Sequence, residues 1–221
     1  MLVVTVAAAV AAVAGSPSPP RAQAHWSFDQ CSRFSKVVED ESGNGNQALL
    51  IRGHLQHVFP EVVLGSGIAG NSLKMYSTAE YQNQGRGTMT AKNTQLMTSR
   101  DWTITLWLKP KTVHRADCIF DKDNFRLSLN HGRISAALPG QSTLQADLPT
   151  DSAAWTSVAV SCSSDHQFSL FVNAELGATA PIADCAQSNS THINVGHLLG
   201  GPHNMFTGEL DEISLFDRGL T

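Results

Sequence analysis

Helix signals are nearly absent from this chain of 221 residues. Basic residues are scarce as well, with 15 Lys and Arg against 19 Asp and Glu. That balance provides no positive field for nucleic acid or an anionic lipid surface. After Met1–Ala14 there is no second long apolar run, which excludes a transmembrane helix from the remainder. No two cysteines are spaced Cys-x-x-Cys, so the commonest zinc pattern is missing. No Gly-x-Ser-x-Gly elbow announces a nucleophilic serine. No internal repeat of fixed period is present.

What is there begins with a leader. Met1–Ala14 is almost wholly Ala, Val and Leu, then Gly15-Ser-Pro-Ser-Pro-Pro20 follows, and Ala22-Gln-Ala24 forms a small-x-small site. This reads as a secretory signal peptide over residues 1–24, leaving 25–221 as one secreted, extracellular domain. Cys31, Cys118, Cys162 and Cys185 make an even count, which in an oxidising compartment suggests two disulfides. Three pairings are open. The one we favour is Cys162–Cys185, which leaves Cys31 with Cys118. Asn189-Ser-Thr191 is a glycosylation sequon.

The mature part is a series of short alternating runs separated by Gly, Asn, Asp, Ser and Pro. The clearest is Asp101-Trp-Thr-Ile-Thr-Leu-Trp-Leu-Lys-Pro110. Trp102, Ile104, Leu106 and Leu108 share one face; Thr103, Thr105, Trp107 and Lys109 share the other. A tryptophan on the polar face puts this strand centrally in a sandwich, with Trp107 packed between layers. Further runs start at Trp26, Val37, Ala48, Ser72, Cys118, Phe125, Arg133, Leu144, Trp155, Phe168, His192 and Glu209. Ser163–Gln167 has hairpin length between two of them. The fold class is therefore all-β, a sandwich or barrel.

The ordered set resembles the laminin-G-like domain of the concanavalin A-like jelly-roll superfamily, to which pentraxins and thrombospondin N-terminal domains are related. The matching pieces are Trp26-Ser-Phe-Asp29, Asp40-Glu-Ser-Gly-Asn-Gly-Asn46, Asp101–Pro110, Trp155-Thr-Ser-Val-Ala-Val160, Leu170-Phe-Val-Asn173, Ile193-Asn-Val-Gly196 and Phe206-Thr-Gly-Glu-Leu-Asp-Glu-Ile213. The resemblance implies a jelly-roll of two antiparallel sheets, with first and last strands side by side. Two departures stand out. The tight-turn dipeptide after Leu170-Phe-Val is Asn173-Ala174, and alanine resists φ > 0, so a longer turn or one of another type is expected. The central strand also lacks the cysteine that pentraxins place there.

The same resemblance implies a structural calcium near the first and last strands. Asp29, Asp40, Asn44, Asn46 and Asp211 would supply oxygens, of which calcium takes about six to eight. The alternative is that Asp40–Asn46 is simply a turn. Sugar sites of the superfamily sit on loops at one end, here 112–117, 130–133 and 196–204. His114, Asn130, His131, His203 and Asn204 are the candidate ligand residues. Glu209-Leu-Asp211-Glu212 is similar to the Glu-x-Asp-x-Glu strand of retaining glycosidases of this superfamily. Its third position is Ile213, however, and Glu212 alternates away, so the paired carboxylates that mechanism needs are missing. His54-Leu-Gln-His57 lacks the acid and the helix of a zinc motif. Core packing is the default for Trp26, Trp102, Trp107 and Trp155. The reading is a non-catalytic recognition module whose partner is a glycan or an extracellular protein. A structural or adhesive module is the alternative, and a glycoside hydrolase relative comes third.

Overall fold

The computed structural model describes residues 21–51, 60–75, 87–93, 95–111, 116–149, 154–186, 192–197 and 205–219. Among them there is no helix. The strands, in chain order, are β1 (Ala24–Trp26), β2 (Val37–Val38), β3 (Ala48–Ile51), β4 (Glu61–Val63), β5 (Ser72–Met75), β6 (Thr88–Ala91), β7 (Trp102–Pro110) and β8 (Ala116–Lys122). Then come β9 (Phe125–Asn130), β10 (Arg133–Ala137), β11 (Leu144–Asp147), β12 (Thr156–Ser163), β13 (Gln167–Val172), β14 (Glu175–Pro181), β15 (Ile193–Val195) and β16 (Gly208–Phe216).

They form two antiparallel sheets. One runs β14-β13-β12-β7-β16-β5-β4, with β1 paired to β16; the other runs β11-β10-β9-β8-β15-β6-β3-β2. This is the expected jelly-roll sandwich. The first and last strands are neighbours, as His25 opposite Ser214 records. No helix among the described residues is long and apolar enough to cross a membrane.

Period-two alternation fills the space between the sheets. On β7 the side chains of Trp102, Ile104, Leu106 and Leu108 are buried. They meet Val158, Val160 and Cys162 of β12, along with Phe120, Phe125 and Leu127 of the opposite sheet, in one apolar cluster. Burying a large apolar side chain contributes about 1.5–3 kcal/mol. The outward residues of the same strands are Thr, Ser, Ala, Lys and Trp, and they belong to no such cluster. Trp107 is therefore not packed between layers. It lies half-exposed on the outward face of the first sheet, opposite Ser157 and Asp211.

Cys162 and Cys185 are bonded, as favoured. The crosslink spans 23 residues of chain, for which loop-closure entropy gives about 3 kcal/mol. Cys31 and Cys118 are not bonded; both are buried free thiols. Cys31 sits in the turn after β1, with Sγ facing the Val37 carbonyl at 3.7 Å. Cys118 belongs to β8, in the middle of the other sheet, where burial and then the nearby Asp121 charge push its thiol up to about 12.

Candidate functional site

Gln23 joins three separate segments at one edge of the sandwich. Its N–H donates to the Leu215 carbonyl at 2.6 Å. Its carbonyl accepts from Ser42 Oγ (3.2 Å), Asn44 Nδ2 (3.1 Å) and Asn46 Nδ2 (2.8 Å). Asn46 Oδ1 in turn accepts from Asn93 Nδ2 at 2.6 Å, and Asn93 Oδ1 accepts the Gln95 amide at 3.0 Å. The result is an open cleft of about 570 Å³ walled by the amides of Gln23, Asn44, Asn46, Asn93 and Gln95. Arg21, Asp217 and Arg218 border it. Thr103 Oγ1 fixes the last of these by donating to the Arg218 carbonyl at 2.8 Å. Side-chain amides offer both donors and acceptors, and two guanidiniums against one carboxylate leave a net positive rim. That inventory suits a hydroxyl-rich ligand bearing an anionic group.

The five expected calcium ligands part company. Asp40 caps its own turn. Oδ1 accepts from the His25 and Ser42 amides at 3.0 and 2.9 Å, and Oδ2 from the Asn46 amide at 2.8 Å. Burial works to raise this carboxyl, yet hydrogen bonds from Ser42, His25 and Asn46 outweigh it and hold it below its usual range. Asn44 and Asn46 point their amide groups at the Gln23 carbonyl, so these two help build the cleft.

Asp29 and Asp211 instead hold the same turn between β4 and β5, each at a different amide. Asp29 Oδ1 accepts the Asn71 amide at 2.7 Å. Asp211 Oδ2 accepts the Ile68 amide at 2.8 Å, and Oδ1 accepts that of Glu212, also at 2.8 Å. A Cβ added at Gly70 would lie 2.1 Å from Asp29 Oδ1, and one at Gly67 would lie 2.5 Å from Asp211 Oδ2. Glycine is required at both positions because the carboxylates close on the main chain. Asp211 is fully buried, and burial pushes its carboxyl up to about 7 despite these bonds.

Glu212 does not simply alternate away. The register with β7 slips between Asp211 and Ser214, and Glu212 sits at φ 51. This bulge spends Glu212 as the extra residue. Its carboxylate reaches His25 Nε2 at 3.6 Å, and His25 Nδ1 meets Ser214 Oγ at 2.8 Å on the outward face. Burial raises the Glu212 carboxyl, His25 pulls it down, and the charges of Asp29 and Glu41 raise it again.

Carboxylates are therefore dense at the β1–β16 junction, and a cation there would relieve their repulsion. Asp29, Asp40 and Asp211 each already accept main-chain amides, while Asn44 and Asn46 turn their amide groups to the cleft. Among the described residues no three His, Cys, Asp or Glu side chains are arranged to hold a metal ion. Glu209 is engaged elsewhere. Oε2 accepts from Ser66 and Ser72 hydroxyls at 2.6 and 2.7 Å, and Oε1 meets Lys109 Nζ at 3.0 Å.

Of the expected ligand loops, Asn130 and His131 form an exposed hairpin tip, with His131 Nδ1 2.6 Å from Asn130 Oδ1. They are not among the residues that line the cleft. His114, His203 and Asn204 lie outside the described residues, as do Asn189, His54 and His57. Sequence reasoning missed Arg21, Gln23, Asn93, Gln95, Asp217 and Arg218. No local motif marks them; only the fold joins the two ends of the chain. The expected leader boundary after Ala24 also falls inside β1, since Ala24 is fully buried and pairs with Leu215.

Comparison with known proteins agrees with this architecture. Residues 83–221 match the family model Laminin_G_3, described as concanavalin A-like lectin/glucanases superfamily. No curated protein matches the sequence. Among solved structures, domain 4 of AbnA, a GH43 extracellular arabinanase from Geobacillus stearothermophilus in complex with arabinotriose, superposes with a TM-score of 0.66 at 16% identity. The match covers 91% of this chain and 95% of that one. The ligand-binding domain of botulinum neurotoxin serotype D, in complex with N-acetylneuraminic acid, gives 0.64 at 14% identity. It covers 91% of this chain and 48% of the toxin domain, so this chain spans about half of that protein. At these identities the likeness is one of fold. The family match covers more than half of the chain, which therefore belongs to this laminin-G family of the concanavalin A-like superfamily.

Proposed function

We propose that this chain is a secreted, non-catalytic recognition module that binds a glycan through the cleft at the β1–β16 edge. The observation that carries the reading is the cleft itself, where five side-chain amides and two arginines converge on one opening. Two of its fold neighbours were solved with sugars bound, arabinotriose and N-acetylneuraminic acid. The carboxylates weigh against catalysis. Glu209 is tied to two hydroxyls and a lysine, and Asp211 is sealed under main-chain amides, so neither stands as a free acid in an open groove.

Secretion is part of this proposal. Gln23 and Ala24 take part in the fold, and in this reading the leader ends upstream of them. Ala12-Val-Ala14 offers the same small-x-small pattern there. Calcium, at the Asp29–Asp211 junction, would brace the turn between β4 and β5 and would not touch the sugar.

The test is glycan-array binding of the secreted protein, its N-terminus read by mass spectrometry, repeated with EDTA. Neutral and carboxylate-bearing glycans are compared. Arg218→Ala is expected to weaken binding about tenfold or more with no change in melting temperature, since a hydrogen bond to a charged group is worth about 1.5–3 kcal/mol. Asn93→Ala should weaken binding too and also lower the melting temperature, because it leaves Asn46 Oδ1 without its donor. Binding by neither the protein nor its calcium-loaded form, together with self-association in sedimentation, would favour the structural module instead.

A further inference from the structure

The four tryptophans fall into two classes. Trp26 and Trp102 are fully buried, and both indole N–H groups are satisfied by main-chain carbonyls, Asn46 at 2.9 Å and Cys185 at 2.7 Å. Trp107 and Trp155 are half-exposed, and neither indole N–H has an acceptor among the described residues. Both lie on the outward face of the first sheet. Trp107 stands opposite Ser157, two residues beyond Trp155, which makes the two indoles diagonal neighbours across β7 and β12.

A third ring completes the picture. The outward residues of β12 are Ser157, Ala159 and Ser161, all small. Ala159 is flanked by Thr105 on one side and by half-exposed Phe171 on the other. Aromatic side chains thus stand on both sides of two small ones, Ala159 and the largely buried Ser157, so the outward surface dips between the rings. The charges at its end cancel. Lys109 Nζ lies 3.0 Å from Glu209 Oε1 and 5.0 Å from the centre of the Trp155 ring.

We propose that this depression is a second binding site, distinct from the edge cleft, that takes a stretch of uncharged polysaccharide with a sugar ring stacked on Trp107. A pyranose or furanose ring has an apolar C–H face and a hydroxyl rim. The first matches an indole face, and the second matches a free indole N–H beside serine and threonine hydroxyls. The lysine–glutamate pair leaves no net charge at the Trp155 end, and Asp211, opposite Trp107, is sealed from solvent, so the face favours an uncharged chain, in contrast to the arginine-bordered cleft. A protein partner fits less well. Protein interfaces have a continuous apolar core, whereas here the rings are separated by Ser157, Ala159 and Thr105. Among the described residues, the strongly exposed Leu176 stands opposite Phe171, and Ile68 lies at the turn that covers Asp211.

The test is affinity electrophoresis of the intact protein through gels containing mixed-linkage β-glucan, xylan, arabinan or galactomannan. Retardation is expected in at least one gel, with apparent Kd raised tenfold or more in Trp107→Ala and in Phe171→Ala. Ala159→Gln fills the depression without removing a ring, and it should abolish retardation while the melting temperature stays within a few degrees. Arg218→Ala, which disables the edge cleft, should leave retardation unchanged, so the two sites fail separately. Three results would overturn the proposal: no retardation in any gel, retardation indifferent to Trp107→Ala and Ala159→Gln, or self-association of the parent protein that Trp107→Ala removes.

Discussion

The two faces of the first sheet are made by the same strands and answer to different constraints. Trp102 and Trp107 lie five residues apart on β7, an odd separation that turns them to opposite sides. Trp102 is sealed, with its ring edge-on to Phe125 at 4.9 Å and to Phe168 at 6.4 Å. Trp107 looks out over Ser157. Alternation therefore decides which residues meet the core, but it does not make every large residue on a strand a core residue. A tryptophan among threonines indicates a surface with something to bind at least as readily as it indicates a second packed layer.

Truncating each tryptophan tests that contrast most forcefully. Trp102→Ala removes an aromatic side chain with no solvent exposure and orphans the Cys185 carbonyl. It should cost about 3–5 kcal/mol. Trp107→Ala should cost less than about 1 kcal/mol, as surface changes do. Urea unfolding followed by circular dichroism reads both. Equal losses would show that Trp107 is structural after all, and the difference between the faces would collapse.

The legibility of the sequence follows the same division. Strands with one apolar face were readable: β3 and β7 begin where the alternation puts them, and the β12–β13 hairpin closes through 164–166. β14 escaped because Glu-Leu-Gly-Ala-Thr-Ala-Pro is an edge strand with almost nothing to bury. β4 escaped because its three residues follow a stretch with no alternation, and β6 because Thr-Met-Thr-Ala, unlike Ala-Leu-Leu-Ile of β3, holds a single large apolar residue. The edge cleft was not readable at all. Arg21 and Arg218 become neighbours only because β1 pairs with β16, and that pairing is a property of the whole sheet.

Asp211 sharpens the comparison with pH, because it is an outward residue that is nonetheless sealed. Its carboxyl binds a proton more tightly folded, at about 7, than unfolded, at 3.8. The native state therefore gains from protonation, and stability falls as pH rises from about 4 to about 7, by roughly 2–4 kcal/mol. Asp40 and Glu209 act with the opposite sign. Burial raises each, but hydrogen bonds outweigh it and hold both below their ordinary values, so what they contribute is lost only as pH falls below about 4. Melting temperature measured from pH 4 to 8 should decline in the parent protein and decline less in Asp211→Asn. Identical slopes would mean that Asp211 is ionised throughout and is compensated by a cation or by the Ile68 and Ala69 amides.

The smallest effect concerns the turn that presents Phe171. Strands β13 and β14 are joined by Asn173 and Ala174 alone, with φ of 51 and 65. The turn is a tight two-residue one, against the expectation from the alanine of a longer turn or one of another type. The cause is a clamp: Asn173 N–H donates to the Ser157 carbonyl at 2.9 Å, and Asn173 Oδ1 accepts the Ser157 amide at 3.0 Å. This pair of hydrogen bonds to β12 holds the chain in a left-handed conformation that alanine adopts at a cost of about 1–2 kcal/mol. Ala174→Gly removes the strain but loosens the unfolded chain, for a net gain of about 0.5–1 kcal/mol. Because the clamp belongs to Asn173, the position of Phe171 on the outward face should not change, and polysaccharide retardation should match the parent protein. A gain in unfolding midpoint with unchanged retardation would separate strain in the turn from function on the face. A loss of midpoint would show instead that the turn relaxes out of the left-handed region and that the register of Phe171 is set by something other than this clamp.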